Sequence, residues 1–207
     1  MRDGVTRLKG KIRRAEPKDT EELLEFFKLV LEDTFRSNGI TDEAEMEDEL
    51  EEKKQSLTED FNSNGMDRCY LLAVLEGQIA GTIASGPPSS LILRLTDGGL
   101  KDLPELTTVF THPDFRNQGI ATSLLFVMLR KLEKDAVEEV CFDSGYRIAQ
   151  CVWESLFGAP FHVEKGYWSP YNDHMIWRIQ VAEAVHLMKE HLDRRSELAD
   201  WNEDSSC

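Results

Sequence analysis

The stretch Arg116-Asn117-Gln118-Gly119-Ile120-Ala121 constrains this chain more than any other. Residues 105–111 before it read as a strand, and residues 121–134 after it carry apolar side chains at helical period. Strand, short turn and helix N-terminus in that order make an anion site. The first amides of a helix have no partner inside it and lie at the positive end of its dipole. A phosphate can be held there, and Gly119 carries no Cβ to keep a pyrophosphate away. The turn lacks the Gly-Lys-Ser/Thr ending of an NTP-binding loop and the full Gly-x-Gly-x-x-Gly of a dinucleotide fold. Taken alone, a helix that opens on one glycine is equally well explained as a structural turn.

Length and charge narrow the classes. A chain of 207 residues suits one domain with a full core and a terminal extension. A net charge of −15 argues against nucleic acid, whose binding needs a basic face. The same charge suits a cationic substrate, or serves solubility alone. Cys69, Cys141, Cys151 and Cys207 show no Cys-x-x-Cys or other metal-ligand spacing, so no metal is expected. The basic N-terminus has no apolar segment of the kind a signal peptide carries, and no run spans a bilayer. A cytoplasmic, reduced protein with no membrane contact is the resulting expectation.

Before the central strand, residues 11–15 read as a first strand and 16–36 as a helix opened by Pro17 and stopped at Asn38-Gly39. A second helix is expected over 42–57. Eight of the eleven residues from 42 to 52 are acidic, which makes either a solvated face or a wall that attracts an amine. Residues 70–75 and 78–85 form a hairpin signal around Glu76-Gly77, with Gly81 marking a bulge or a close backbone approach. Residues 87–104 are long for a hairpin connection and read as a lid or an extra ribbon.

After the central helix, a strand is expected at 137–143, a helix at 148–156 and an antiparallel pair at 161–164 and 174–181. The tail from 182 to about 198 has Val185, Met188 and Leu192 at helical spacing. It either packs back on the domain or makes a subunit contact in a homodimer. Residues 1–10 and 201–207 are expected to be a loose arm and a frayed end.

With the preceding Val109-Phe110-Thr111-His112-Pro113-Asp114-Phe115, the pattern Arg116-x-x-Gly119-x-Ala121 closely resembles the acyl-CoA signature of the GNAT-family N-acetyltransferases. The likeness extends more loosely over residues 12–181. It implies an α/β GNAT fold: a central twisted mixed sheet of about seven strands, flanked by helices, splayed at its centre. It implies a domain at 11–181 with a C-terminal helical extension at 182–207. The implied reaction moves the acetyl group of acetyl-CoA to a primary amine of a small molecule or protein, by direct attack.

The resemblance also distributes roles. Val109, Phe110 and Thr111 would meet the pantetheine arm, Val109 and Thr111 through their backbones. The amides of Arg116, Asn117, Gln118, Gly119, Ile120 and Ala121 would hold the pyrophosphate, with the Thr122 hydroxyl beside them. Glu105 lies eleven residues before Arg116, where the family often carries a glutamate, and is the candidate base. The other reading is a strand-edge carboxylate facing solvent. A base is wanted because freeing an alkyl amine of its proton at pH 7 costs about 4–5 kcal/mol.

The leaving-group acid departs from the family pattern. Trp153 stands where a phenol belongs, and an indole N–H is no acid at accessible pH. Tyr146 is the substitute candidate, with solvent, Ser144 and Cys151 as the other sources. Trp153 would pack on the pantetheine arm or in the core. His174 would line the acceptor pocket. Nothing pairs Cys151 with a base, so no acyl-enzyme is expected. The departure at Trp153 leaves a second reading, an acyl-CoA-binding sensor that keeps the fold without turnover.

Overall fold

The computed structural model describes residues 9–194 and 200–203. The chain runs through β1 (Lys9–Arg14), a 3₁₀ turn at Pro17–Asp19, α1 (Thr20–Asn38), α2 (Glu43–Ser63), β2 (Cys69–Leu75) and β3 (Gln78–Gly86). Then come α3 (Ser90–Leu95), β4 (Glu105–Thr111), a 3₁₀ turn at Pro113–Phe115 and α4 (Ile120–Lys134). The remainder is β5 (Glu139–Ser144), α5 (Arg147–Phe157), β6 (His162–Ser169), β7 (Asn172–Gln180), α6 (Val181–Arg194) and β8 (Asp200–Glu203).

The strands form one mixed sheet in the order β6-β7-β5-β4-β3-β2-β1-β8. β1 to β4 are an antiparallel meander, β5, β7 and β6 a second antiparallel set, and β4 meets β5 in parallel. Alternate side chains of β2 feed opposite cores, as the period of two demands. Leu71, Ala73 and Leu75 meet α4 and α6 on one face. Tyr70 and Leu72 meet α1 on the other. On α1 the buried residues are Leu23, Phe26, Phe27, Val30, Leu31 and Phe35, one stripe at helical spacing. Its start is tied to the sheet: Arg13 donates two hydrogen bonds to the Asp19 carboxylate, at 2.6 and 2.8 Å.

Several boundaries differ from the sequence reading for identifiable reasons. The 87–104 connection is neither a lid nor a ribbon. Ser89 Oγ accepts the Ile92 amide at 3.2 Å and caps α3. Ile92 and Leu100 then bury against Cys141 and Ile176. Among the described residues the sheet has eight strands, against the about seven expected, because residues 200–203 pair in parallel with β1, although 201–203 were expected to fray. Residues 204–207, and residues 1–8 of the expected loose arm, lie outside the described residues, and Lys9 and Gly10 belong to β1. α2 continues to Ser63, since Leu57 and Asp60 are buried and Asn64 takes the left-handed cap at φ 50°. The last hairpin is longer than expected, with β6 and β7 closing through a tight turn between Ser169 and Asn172.

Two irregularities shape the centre. Ala80 is extra in β3, since Gly81 pairs with Ala73 and Ile79 with Val74. A Cβ on Gly81 would stand 2.7 Å from Ile120 Cγ2 and 2.9 Å from the Phe110 carbonyl oxygen, so α4 lies directly on this backbone. A carbonyl of the neighbouring strand cannot swing aside as a side-chain end can. Gly81→Ala is therefore expected to destabilise the fold by about 1–3 kcal/mol in urea unfolding. An unchanged midpoint would mean that α4 does not lie that close.

Candidate active site

The sheet opens at its middle. β4 and β5 share one pair, Glu105 with Cys141, supported by the Cys141 amide donating to the Pro104 carbonyl at 2.9 Å. Beyond that pair the strands part, and among the described residues no strand pairs with the β5-facing edge of residues 107–111. A bulge in β4 sits at the opening. Thr82 pairs with Phe110 and Ala84 with Thr107, so Ile83 faces both Thr108 and Val109. Thr108 has φ 52°, a conformation that costs a β-branched residue roughly 1–3 kcal/mol. It is held there by the Thr82 hydroxyl, which donates to its carbonyl at 2.9 Å, and by the Tyr70 hydroxyl 3.3 Å from its own.

β4 leads into the turn. The His112 amide donates to the Ala80 carbonyl, and the imidazole Nδ1 accepts the Asp114 amide at 3.2 Å. Asn117 and Gly119 both take left-handed backbone angles, 63° and 79°. The Ser123 amide donates to the Gly119 carbonyl and closes the first turn of α4. The amides of Ile120, Ala121 and Thr122 before it have no acceptor within the helix. Nothing lies within 4 Å of where a Gly119 Cβ would stand, so the backbone is open to a large anion. The Arg116 guanidinium is already paired, 2.5 Å from Asp33 of α1. The amides of this turn are left to meet a ligand, and residues 116–122 lie outside the lining of the cleft described next.

A cleft of about 1410 Å³ runs from the β4–β5 opening to α2. Glu105, Val109, Phe110, Tyr146 and Trp153 all line it; Thr111 does not. Glu105 is 5% exposed, and its Oε2 accepts the Ser89 amide at 2.5 Å. Burial, and secondarily the charge of Asp143, push its carboxyl up to about 7, against the opposing pull of the Ser89 amide, Lys53 and Arg68. That places its titration near neutrality, where a proton acceptor works best.

Tyr146 caps α5, and its hydroxyl donates to Glu49 Oε1 at 2.6 Å. Burial and that carboxylate drive the phenol well above its ordinary range. Trp153 packs its ring 5.2 Å from Phe142 and 6.1 Å from Phe157, so core packing and cleft lining coexist in one side chain. The acidic run of α2 turns one face to the cleft, with Glu45, Asp48, Glu49 and Glu52 in the wall. Burial and the neighbouring Glu49 and Asp42 raise Glu45. Cys141 lies beneath the opening and is pushed up to about 12 by burial and the two nearby carboxylates, so it stays a thiol. Cys151 is exposed on α5. Among the described residues, no group of three His, Cys, Asp or Glu side chains converges to hold a metal ion, and no helix is long and apolar enough to cross a membrane.

Three features escaped sequence reasoning. Ser89 brings its amide to Glu105, and Pro87-Pro88-Ser89 before an apolar run was the available signal for a helix cap. Asp143, the penultimate residue of β5, lies in the cleft and is bonded to His174. Thr108 gave no signal at all, because Leu-Thr-Thr-Val-Phe-Thr reads as an unbroken strand.

Comparison with known proteins agrees with this geometry. None of the curated proteins matches the sequence. Among solved structures, the PaiA N-acetyltransferase of Thermoplasma acidophilum, in complex with coenzyme A, superposes with a TM-score of 0.62 at 19% identity, over 82% of this chain and 99% of its own. The ribosomal-protein-alanine N-acetyltransferase of Brucella melitensis gives 0.59 at 21%, over 82% and 98%. The ribosomal-protein-S18-alanine N-acetyltransferase of Escherichia coli gives 0.57 at 14%, over 83% and 94%. These likenesses establish the fold. The model of the acetyltransferase (GNAT) family matches residues 24–158, most of the chain and both strands of the opening, and the protein belongs to that family.

Proposed function

We propose that this protein transfers the acetyl group of acetyl-CoA to a primary amine by direct attack, with Glu105 as the base. The observation that carries the reading is a buried carboxylate titrating near 7 at the point where β4 and β5 part. The coenzyme supplies an acetyl thioester. The chain supplies the amides of Asn117 to Thr122 for the pyrophosphate, and the free backbone edge of Val109 and Thr111 for the pantetheine arm. The acetyltransferase unit is 11–181, and the 182–207 extension contributes α6, whose Val185 and Met188 join the α4 core.

The acceptor arrives as an ammonium ion and gives its proton to Glu105, directly or through a water. The freed nitrogen attacks the thioester carbonyl carbon, the C–N bond forms, the nitrogen gives up its second proton to solvent, and the C–S bond breaks with its electron pair on sulfur. Tyr146 is the candidate donor to the departing thiolate, and its proton reaches sulfur only when the bond to Glu49 exchanges; solvent is the other source. The acidic face of α2 supports a cationic acceptor, whether a small amine or a protein amino group. The names of the ribosomal-protein neighbours support the latter. The buried Cys141, a thiol pushed up to about 12, suits a reducing compartment, and we place the protein in the cytoplasm.

The second reading, a coenzyme A-binding sensor, draws on Trp153 in the place of the phenol. Release of free thiol from acetyl-CoA with a panel of amines separates the two. In the enzyme, kcat/KM rises with pH through about 7 as Glu105 ionises, and Glu105→Gln lowers it about 100-fold. Full activity in that variant would remove Glu105 as the base.

The same burial has a signature in stability. The folded pKa of about 7 exceeds the ordinary 4.5, so the native state holds this proton more tightly than the unfolded chain. That contribution is fully present below the unfolded value and is lost as pH rises through about 7. Glu105→Gln is therefore expected to melt higher than wild type at about pH 8, an advantage that shrinks toward about pH 5. A constant difference across that range would contradict the burial of an ionisable group here.

A further inference from the structure

Asp143 and His174 form the most fully constructed polar feature of the cleft that the mechanism above leaves unused. His174 is 3% exposed, on β7, and lines the cleft. Its Nδ1 accepts the Trp168 indole N–H at 3.2 Å. The remaining nitrogen, Nε2, therefore carries the proton and donates to Asp143 Oδ2 at 3.1 Å. With both nitrogens occupied, the imidazole has no lone pair to offer a substrate. What it does is hold one carboxylate oxygen in place.

The support behind it is equally specific. A Cβ on Gly145 would stand 2.4 Å from Trp168 Nε1, so the indole seats only over a residue without a side chain. Tyr167 packs its ring 5.6 Å from that of His174, and Arg94 of α3 donates to the Tyr167 hydroxyl. α3 is the helix capped by Ser89, whose amide holds Glu105. Glu105 and Asp143 are thus fixed from behind by one connected shell.

Their placement follows from the sheet. Glu105 pairs with Cys141, and Asp143 lies two residues further along β5, on the face that Cys141 shares. Asp143 is 22% exposed and lines the cleft. Among the described residues, His174 is its hydrogen-bond partner, through Oδ2. We propose that Asp143, positioned by His174, is the second functional carboxylate of the acceptor pocket: it receives the acceptor's ammonium group opposite Glu105, and its negative charge strengthens Glu105 as a base. The inference rests on the acetyltransferase reading above.

The charges around Glu105 fix the sign. Lys53 of α2 and Arg68 before β2 stabilise its anion, and Asp143 of β5 opposes it. Cys141 between them is a neutral thiol. His174 is neutral in the tautomer its partners define, so the charge of Asp143 is not cancelled. The ammonium meets two carboxylates. The Asp143 carboxylate holds it, while Glu105 takes the proton. The pocket then selects aliphatic amines, which are cations at neutral pH, over arylamines, which are not.

The test combines Asp143→Asn with two His174 variants. His174→Gln keeps a donor toward Asp143 and an acceptor for Trp168, whereas His174→Ala keeps neither. The first readout needs no turnover: the melting-temperature difference between wild type and Glu105→Gln across pH, with and without Asp143→Asn. The transition near 7 is expected to move down by about one pH unit in the Asp143→Asn background. The second is thiol release with an aliphatic amine. Asp143→Asn should raise KM about tenfold and shift the pH profile downward; His174→Ala should raise KM similarly while leaving the pH profile in place, because the Asp143 charge remains, and His174→Gln should restore most of the KM. An unmoved stability transition overturns the charge coupling. An unchanged KM overturns the ammonium role. If no amine releases thiol, the acetyltransferase reading falls and the ammonium role with it, while the stability transition still decides the coupling. If Asp143→Asn does not fold, the comparison of His174→Gln with His174→Ala decides in its place.

Discussion

The molecule depends on two neighbouring strands that pair once and then separate. Parallel strands normally continue a ladder for several residues. Here β4 and β5 stop after Glu105 and Cys141. The bulge at Thr108 bends β4 at the point where the ladder ends, and Thr82 and Tyr70 hold the unfavourable backbone in place. The unpaired backbone of β4 faces the gap, and the same strand runs into the turn whose amides open α4. One irregularity in one strand thus lines up a backbone edge, an anion site and a buried carboxylate.

Burial and charge then act together on that carboxylate. Glu105 is out of water and held by a single backbone amide, which alone does not offset the loss of hydration. Asp143 adds repulsion, and two cations reduce it without cancelling it. The result is an acid that ionises where an acetyl acceptor needs a base. The surrounding shell is polar but ordered: Ser89 on one side, His174 and Trp168 on the other, each set by an element that packs into the core. The acidic face of α2 closes the cleft and gives the site a negative approach.

Much of this was legible in the sequence, and the parts that were not share a cause. β4 was readable residue for residue, and α4 to within one, because apolar periodicity and the turn between them are local signals. α1 and the β2–β3 hairpin followed from the same rules. The opening itself was not legible from residue pattern, since pairing between β4 and β5 is a contact across sequence. Thr108 hid inside a perfect strand pattern, where only the opposing strand reveals the bulge. The partnership of Asp143 and His174 joins residues on strands that meet through the sheet order alone. α3 hid in a connection whose short, largely apolar stretch, residues 91–95, fitted several structures. β8 was missed because a short polar stretch at the end of a chain carries no strand signal until β1 offers it an edge.

A crystal structure of the protein with coenzyme A tests the central claim most directly. The account predicts the pantetheine arm lying along β4 beside Val109, the pyrophosphate on the amides between Asn117 and Thr122, and the sulfur at the β4–β5 opening near Glu105. Coenzyme A bound with its phosphates away from that turn, or with its sulfur outside the opening, would contradict it.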